Sequence, residues 1–227
     1  GNVLQAGQGQ APARQAALGA GLPKGVACST LHKVCGSGLK AVMLAHDIIK
    51  AGSADVVVAG GQESMSNAPY LLLKGRQGYR YGHSTDYDHM ALDGLEDAYQ
   101  RGTAMGVFAE DCASKYSFTR EQQDAFSLES LRRARQATED GSFKWEIAPV
   151  TIKGRKGDTV IDTDEGPAKA MPDKIPTLKP AFKKDGTVTA ANASSISDGA
   201  SALVVMSASR AQALGATPLA RIVAHTQ

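Results

Sequence analysis

The stretch that decides the fold is KVCGSGLKAVMLAHDIIKAGSADVVVAGG, residues 33–61. Apolar side chains recur at helical spacing through residues 36–51, and a glycine follows where such a helix would end. The next segment, ADVVVA at 54–59, is a continuous apolar run typical of a strand buried on both faces, and two glycines close it. Residues 26–34 also have a strand-like pattern. This order of elements predicts an α/β fold with a parallel sheet and right-handed crossovers.

Outward from this stretch, the periodicity predicts further helices and strands. Helices are predicted at 11–19, 105–116, 119–141 and 208–214, and strands at 147–153, 159–162, 202–206 and 219–224. Thr119 and Gln122 have the spacing of a capping box. The Pro- and Lys-rich residues 167–180 are predicted to be irregular, and residues 67–101 to be an excursion from the core.

Composition narrows the class of protein. The chain has 227 residues, 25 Lys and Arg against 23 Asp and Glu, and a formal net charge of +2. With 42% hydrophobic residues it is neither collagen-like nor disordered, and its near-neutral charge argues against a nucleic-acid partner. No apolar run approaches the roughly 20 residues that cross a bilayer, so no membrane partner is expected. No secretory signal is visible at the start of the sequence.

Three scattered cysteines, Cys28, Cys35 and Cys112, are too few for a disulfide framework, and no CxxC pair suggests zinc. We therefore expect no metal site and a cytoplasmic location, where thiols stay reduced.

Cys35 is the strongest candidate for chemistry. The predicted strand delivers it to the first turn of the predicted helix, where free backbone N–H groups and the helix dipole favour a thiolate. Gly36 and Gly38 would leave room for a bulky acyl group beside the sulfur. The arrangement parallels the nucleophile elbow of hydrolases. The alternative is an unreactive buried cysteine beside a glycine-containing turn.

An ordered set of motifs resembles one family, the thiolases, and within it the biosynthetic acetyl-CoA acetyltransferases. The motifs are KVCGSGLKA (33–41), GSADVVVAGGQESMS (52–66), PARQAAL (12–18), AMGVFAED (104–111), TREQQDAFSLES (119–130), KGRKGD (153–158), KPAFKKDGTVTAANASSISDGASALVVMS (179–207) and PLARIV (218–223). The resemblance covers essentially the whole chain and favours the nucleophile interpretation of Cys35.

The resemblance implies a reaction. Thiolases of this type join two acetyl-CoA molecules to give acetoacetyl-CoA and CoA, reversibly, through an acyl-cysteine that would here form on Cys35. Coenzyme A is substrate and product, and no other cofactor is implied. In this family a His in a GHP motif, a Cys in CxGGG and an Asn in NEAF complete the site. None of these motifs occurs in the 227 residues, so the segment resembles a thiolase truncated at both ends and alone is expected to be inactive.

The implied fold is the N-terminal core half of a layered αβαβα thiolase with its inserted loop domain. Its four segments are an N-terminal core at 1–66, a loop domain for CoA binding and tetramerisation at 67–189, a return to the core at 190–215, and the start of the C-terminal domain at 216–227. The resemblance places residues 74–81 in the loop that would bridge dimers into a homotetramer. Their basic and tyrosine residues would otherwise suggest RNA stacking.

The resemblance also assigns the CoA contacts, at Leu95, Met105, Phe182, Ala190, Ser194 and Ile196. Ser194 would hydrogen-bond a pantetheine amide, while Phe182 and Leu95 would flank the adenine. The alternatives are structural: Phe182 as a core aromatic, Met105 as a gap filler, and Ser194 as the N-cap of a helix at 196–200.

Some positions depart from the family pattern. His32 stands where Asn is common; on a strand it would point away from Cys35, so we expect a structural role. Ala104 and Ser195 stand where His and Gly are common in the family. Lys169 is a candidate for the cation that meets the adenosine phosphate; the alternative is that it lies in a solvated loop and binds nothing.

Two other functions compete with this one. A non-catalytic thiolase-like module would keep the CoA slot without turnover. A degradative 3-ketoacyl-CoA thiolase would act on longer chains.

Overall fold

The computed structural model describes residues 1–226. Its helices are α1 (Pro12–Gly19), α2 (Ser37–Lys50), α3 (Met105–Lys115), α4 (Arg120–Glu139), α5 (Glu165–Lys169) and α6 (Ala208–Ala213). Its strands are β1 (Val56–Glu63), β2 (Tyr70–Leu71), β3 (Tyr87–Asp88), β4 (Val150–Ile152), β5 (Thr159–Ile161) and β6 (Gly199–Met206). Short 3-10 turns lie at Met65–Asn67 and Pro172–Thr177, and a π-helical turn at Ala91–Leu95.

The chain divides into two compact units. The first unit comprises residues 1–103 and the residues from Ile196 onward, and the second comprises residues 104–195. The four segments implied by the resemblance stay a prediction, and the last of them includes Gln227, which lies outside the described residues. Among residues 1–226, no helix is both long and apolar enough to cross a bilayer.

In the first unit, α2 packs against the pair formed by β1 and β6. These two strands are antiparallel, with Val56 opposite Met206 and Glu63 opposite Gly199. The predicted parallel sheet is therefore wrong. The reason is that β1 pairs with a strand from residues 199–206, which returns in the opposite direction, and not with residues 26–34.

The strands predicted at 26–34 and 219–224 are absent from the described residues. A strand exists only through pairing, and the backbone of residues 26–34 makes a single long-range backbone hydrogen bond, from Asn2 to Leu31 at 3.1 Å. Apolar alternation indicates that a segment suits a sheet, but it does not supply the neighbouring strand.

The sequence predicts that the glycine pair after ADVVVA ends the strand. In the structure β1 runs through both glycines and continues to Glu63. A Cβ on Gly60 would lie 1.9 Å from the carbonyl oxygen of Ser201, so only glycine allows β6 to approach this closely. Val58 and its partner Val204 on β6 are more than half exposed, so the predicted burial of the 54–59 strand on both faces is also wrong. A two-stranded sheet covered by one helix leaves its other face open.

In the second unit, α4 begins as predicted. The Gln122 N–H donates to Thr119 Oγ1 at 3.3 Å, and the Thr119 N–H donates to Gln122 Oε1 at 2.9 Å, which completes the capping box. The antiparallel hairpin of β4 and β5 is also confirmed. Residues 167–180 are more regular than predicted, since they contain the end of α5 and a 3-10 turn that packs on α4. Arg120 holds that turn by donating to the Ile175 carbonyl at 2.9 Å.

Candidate active site around Cys35

Cys35 lies in a tight turn directly before α2, and its side chain is exposed. Val34 has a φ of 48°, a left-handed conformation that is unusual for a β-branched residue. The N–H groups of Gly36 and Ser37 donate to the carbonyls of Lys33 and Val34 at 3.1 and 3.0 Å. The chain thus turns sharply at Val34 and leaves the sulfur accessible, so the alternative of a buried cysteine does not hold. The helix starts two residues after Cys35, slightly later than predicted.

Ser37 clamps this turn from inside. Its side chain is buried; Oγ accepts a hydrogen bond from the Lys33 N–H at 2.9 Å and donates to the Val34 carbonyl at 2.6 Å. Both partners precede Cys35, so one hydroxyl holds the strained backbone on the N-terminal side of the sulfur. His32 contributes a local bond as well, since its Nδ1 accepts from the Val34 N–H at 3.1 Å. That contact fits the structural role expected for His32, although no strand forms there.

The glycines of this region bring α2 against β1. A Cβ on Gly61 would lie 3.0 Å from the Cα of Gly38, and a Cβ on Gly38 would lie 3.4 Å from the Cα of Gly61. The absence of a side chain at Gly38 therefore serves the close approach of helix to strand. We had expected it to leave space for an acyl group.

The N-terminus of α2 has no side-chain cap. Gly36 occupies the N-cap position. The first helical hydrogen bond runs from the Lys40 N–H to the Gly36 carbonyl, at 2.8 Å. The early N–H groups and the positive end of the helix dipole thus remain close to Cys35. Backbone N–H groups in this position are suited to stabilise a developing oxyanion.

The second unit contains a different polar cluster, centred on Glu110 of α3. The Glu110 carboxylate is buried and accepts hydrogen bonds from the N–H groups of Thr187 and Val188 at 2.9 and 2.8 Å. The Thr187 hydroxyl donates to it as well, at 3.2 Å. Burial raises the pKa of Glu110, but these hydrogen bonds and the charge of Lys183 outweigh burial and hold the pKa below its ordinary value.

The loop that follows Val188 is closed by its own side chains. Thr189 is fully buried, and its N–H donates to Asn192 Oδ1 at 2.7 Å. Asn192 Nδ2 donates to the Thr187 carbonyl at 3.1 Å. The Glu110 carboxylate and the side chains of Thr189 and Asn192 together fix the backbone of residues 187–192. We call Glu110 and residues 187–192 the Glu110 cradle.

Residues 1–209 match the family described as thiolase, N-terminal domain. The chain belongs to the thiolase family. Acetyl-CoA acetyltransferase 2 of Arabidopsis thaliana is 54% identical over 225 residues, covering 98% of this chain and 56% of that protein. Acetyl-CoA acetyltransferase of Pseudomonas aeruginosa is 53% identical over 227 residues, covering 99% of this chain and 58% of that protein. The chain therefore spans a little over half the length of these curated relatives.

A solved structure agrees with this assignment. The Acat5 thiolase from Ascaris suum, crystallised in complex with coenzyme A, superposes with a TM-score of 0.87 at 42% sequence identity. The match covers 96% of this chain and 55% of that one. The predicted fold class, a thiolase-like α/β fold corresponding to the N-terminal half, is confirmed.

The CoA contacts implied by the thiolase resemblance fall in both units. In the second unit, Met105 begins α3, and the ring of Phe182 lies on Gly106, where a Cβ would come within 2.3 Å of it. Met105 and Phe182 are 42% and 38% exposed, so neither fills the core as the structural alternatives required. Exposed Ala190 and Ser194 complete the set in this unit.

Leu95 and Ile196 belong to the first unit, and both are exposed. Leu95 ends the π-helical turn, and Ile196 lies three residues before β6. No helix forms at 196–200, so the alternative role of Ser194 as an N-cap is wrong.

The sequence analysis did not single out four residues that shape the Cys35 turn in the first unit or the Glu110 cradle in the second: Ser37, Glu110, Thr189 and Asn192. Ser37 had a local signal, since a hydroxyl at the start of a helix often bonds nearby backbone. Glu110 had none, because its partners lie 77 and 78 residues further along the chain.

Proposed function

We propose that the protein carrying this chain condenses two acetyl-CoA molecules to acetoacetyl-CoA and CoA, reversibly, with Cys35 as the nucleophile. The observation that carries the proposal is an exposed thiol held at a strained turn, beside an uncapped helix N-terminus, in a thiolase N-terminal domain. The printed names of the relatives, acetyl-CoA acetyltransferase, support the choice of acyl group.

In the first half-reaction, the Cys35 thiolate attacks the thioester carbonyl of acetyl-CoA. The carbonyl oxygen takes the negative charge, and N–H groups at the start of α2 are suited to stabilise it. The carbon–sulfur bond to CoA then breaks, leaving acetyl-Cys35 and CoA thiolate, which takes up a proton.

In the second half-reaction, another acetyl-CoA loses a proton from its methyl carbon to a base, and the carbanion attacks the acetyl carbon on Cys35. A new carbon–carbon bond forms, and the bond to the Cys35 sulfur breaks to regenerate the thiolate. The thiolase resemblance assigns the base to motifs not found in these residues. We therefore propose that residues 1–227 alone do not catalyse the reaction.

We propose that CoA contacts Met105, Phe182, Ala190 and Ser194 of the second unit; for Leu95 and Ile196 of the first unit, the CoA contact stays a prediction from the thiolase resemblance. Support comes from the exposure of these side chains and from the coenzyme A complex of the Ascaris suum thiolase. The Glu110 cradle fixes the backbone just before Ser194, which would hold its hydroxyl ready to bond a pantetheine amide.

Exposed aromatic side chains support the proposed homotetramer. Tyr79 is exposed and Tyr81 fully exposed within residues 74–81, and such side chains commonly mark protein contacts. Multi-angle light scattering of the full-length protein tests this, because a tetramer is expected and substitution of both tyrosines by serine should reduce it to a dimer.

The decisive experiment for the reaction uses the full-length protein incubated with acetyl-CoA and digested for mass spectrometry. We expect an acetyl adduct on the peptide containing Cys35, and its loss in Cys35→Ser. Cys112→Ser is the matched control, because Cys112 is also an exposed free thiol and should not carry the adduct.

Condensation activity should fall by about 10³-fold or more in Cys35→Ser, as expected when a nucleophile is removed. CoA binding without any adduct would indicate a binding module in place of an enzyme. Higher activity on long 3-ketoacyl-CoA than on acetoacetyl-CoA would indicate a degradative thiolase.

A further inference from the structure

Three side chains of the first unit converge on one point away from Cys35. His46 and Asp47 lie on α2, and His225 lies in the segment after α6, 178 residues from Asp47 in sequence. At about 1.5 Å of rise per residue, His46 is roughly 15 Å along the helix from its N-terminal end. The cluster is therefore separate from the turn that presents the thiol.

The three potential ligand atoms form a small triangle. Asp47 Oδ1 lies 3.0 Å from His46 Nδ1 and 2.8 Å from His225 Nε2, and the two nitrogens are 3.2 Å apart. In a tetrahedral zinc site with bonds of about 2.0–2.1 Å, ligand atoms lie about 3.3 Å apart. An ion above the plane of this triangle therefore reaches all three atoms after a shift of a few tenths of an ångström.

Hydrogen bonding alone accounts poorly for this geometry. If both imidazoles are neutral and each donates to Asp47 Oδ1, the two donor nitrogens lie only 3.2 Å apart and neither can accept a hydrogen bond from the other. If one nitrogen is bare, only one ring donates to the carboxylate. A cation resolves the conflict, because both nitrogens and the oxygen then present lone pairs to the same centre.

The surroundings suit a bound ion. The side chains of His46 and His225 are only 18% and 22% exposed, and their rings meet edge to face with centroids 5.0 Å apart, so both ligands are held in place. Asp47 is half exposed, which leaves an open side for a water ligand. Two imidazoles and one carboxylate are a ligand set that zinc takes with a fourth, open position.

We propose that His46, Asp47 and His225 bind one Zn²⁺ ion, with water as the fourth ligand. The ion joins α2 to the segment that follows α6, two parts of the first unit that no described secondary structure pairs. This proposal differs from the expectation, drawn from cysteine spacing, that the chain has no metal site. The set is assembled by tertiary contact and has no local motif.

Equilibrium dialysis of tag-free, chelator-treated full-length protein against Zn²⁺, with zinc counted by mass spectrometry, tests the proposal. The cysteines are first alkylated, because free thiols such as Cys35 and Cys112 also bind zinc. We expect one Zn²⁺ per chain and no uptake of Mg²⁺, which prefers oxygen ligands. His83→Gln is the matched control, since His83 is an exposed histidine outside the cluster and its loss should leave binding unchanged.

His46→Gln and His225→Gln each remove a ligand and should weaken zinc binding by more than about 100-fold. Removing only a residue that hydrogen-bonds a metal ligand costs roughly 10- to 100-fold. Circular dichroism without zinc verifies that each variant folds, and Asp47→Asn provides a third test if one does not. Co²⁺ should give a tetrahedral absorption spectrum in the parent protein that disappears in the same variants. Absence of zinc from the parent protein, or undiminished binding in any folded ligand variant, would overturn the proposal.

Discussion

The turn at Cys35 and the Glu110 cradle fix backbone by opposite means. At Cys35, one neutral hydroxyl and a left-handed Val34 hold the chain, and the important side chain is left exposed. In the cradle, a buried carboxylate accepts two backbone N–H groups and keeps no exposed functional atom. A nucleophile must be reached by its substrate, whereas a positioning group works best where water cannot compete.

The largest effect is expected where the support beneath the Cys35 turn is broken. Gly60→Ala places a Cβ 1.9 Å from the Ser201 oxygen of β6, and neither backbone can yield easily. We expect a loss of more than about 3 kcal/mol in the free energy of unfolding. Hydrogen exchange should show lost protection in β1 and β6.

Gly19→Ala is the control for that change, because a Cβ at Gly19 meets nothing within 4 Å. Its stability should be unchanged or slightly higher. Equal protection of β1 in both variants would contradict the role assigned to Gly60.

The next largest effect tests the cradle itself. Glu110→Gln replaces one acceptor oxygen by an amide that faces backbone donors, and leaving such a donor unpaired costs about 1–3 kcal/mol. Chemical denaturation should report that loss. Glu129→Gln is the control, because Glu129 is an exposed partner of Arg132 and Arg133 on α4, and its substitution should have a clearly smaller effect.

A smaller effect is expected at Ser37. Ser37→Ala leaves the Lys33 N–H without its acceptor and removes the bond to the Val34 carbonyl, at a cost of about 1 kcal/mol. The loosened turn should change the rate at which iodoacetamide alkylates Cys35. Cys112 in the same molecule is the internal reference, and a parallel change at both thiols would argue against a specific effect on the turn.

The smallest effect is the pH dependence that the cradle confers. The pKa of Glu110 is lower in the folded state than its ordinary value of 4.5. Its contribution to stability is therefore complete above pH 4.5 and is lost as the pH falls through the folded value. The difference in thermal stability between the parent protein and Glu110→Gln should narrow as the pH falls from 7 to 3. A constant difference would show that the charge is not involved.

Local signals in the sequence were sufficient for the described helices other than the five-residue α5. The apolar spacing before Gly52 located α2, and Thr119 with Gln122 located the start of α4, because helical hydrogen bonds and caps join residues a few positions apart. The motif around Cys35 likewise identified the family and the exposed thiol.

Pairings between distant residues were decided only by the tertiary structure. The sequence could not show that β1 pairs with residues 199–206, that Glu110 accepts hydrogen bonds from residues 187 and 188, or that His225 meets His46. Sheet partners, the hydrogen bonds of buried carboxylates and ligand clusters depend on which distant segments contact each other. The periodicity of a sequence reports local secondary structure and does not show those contacts.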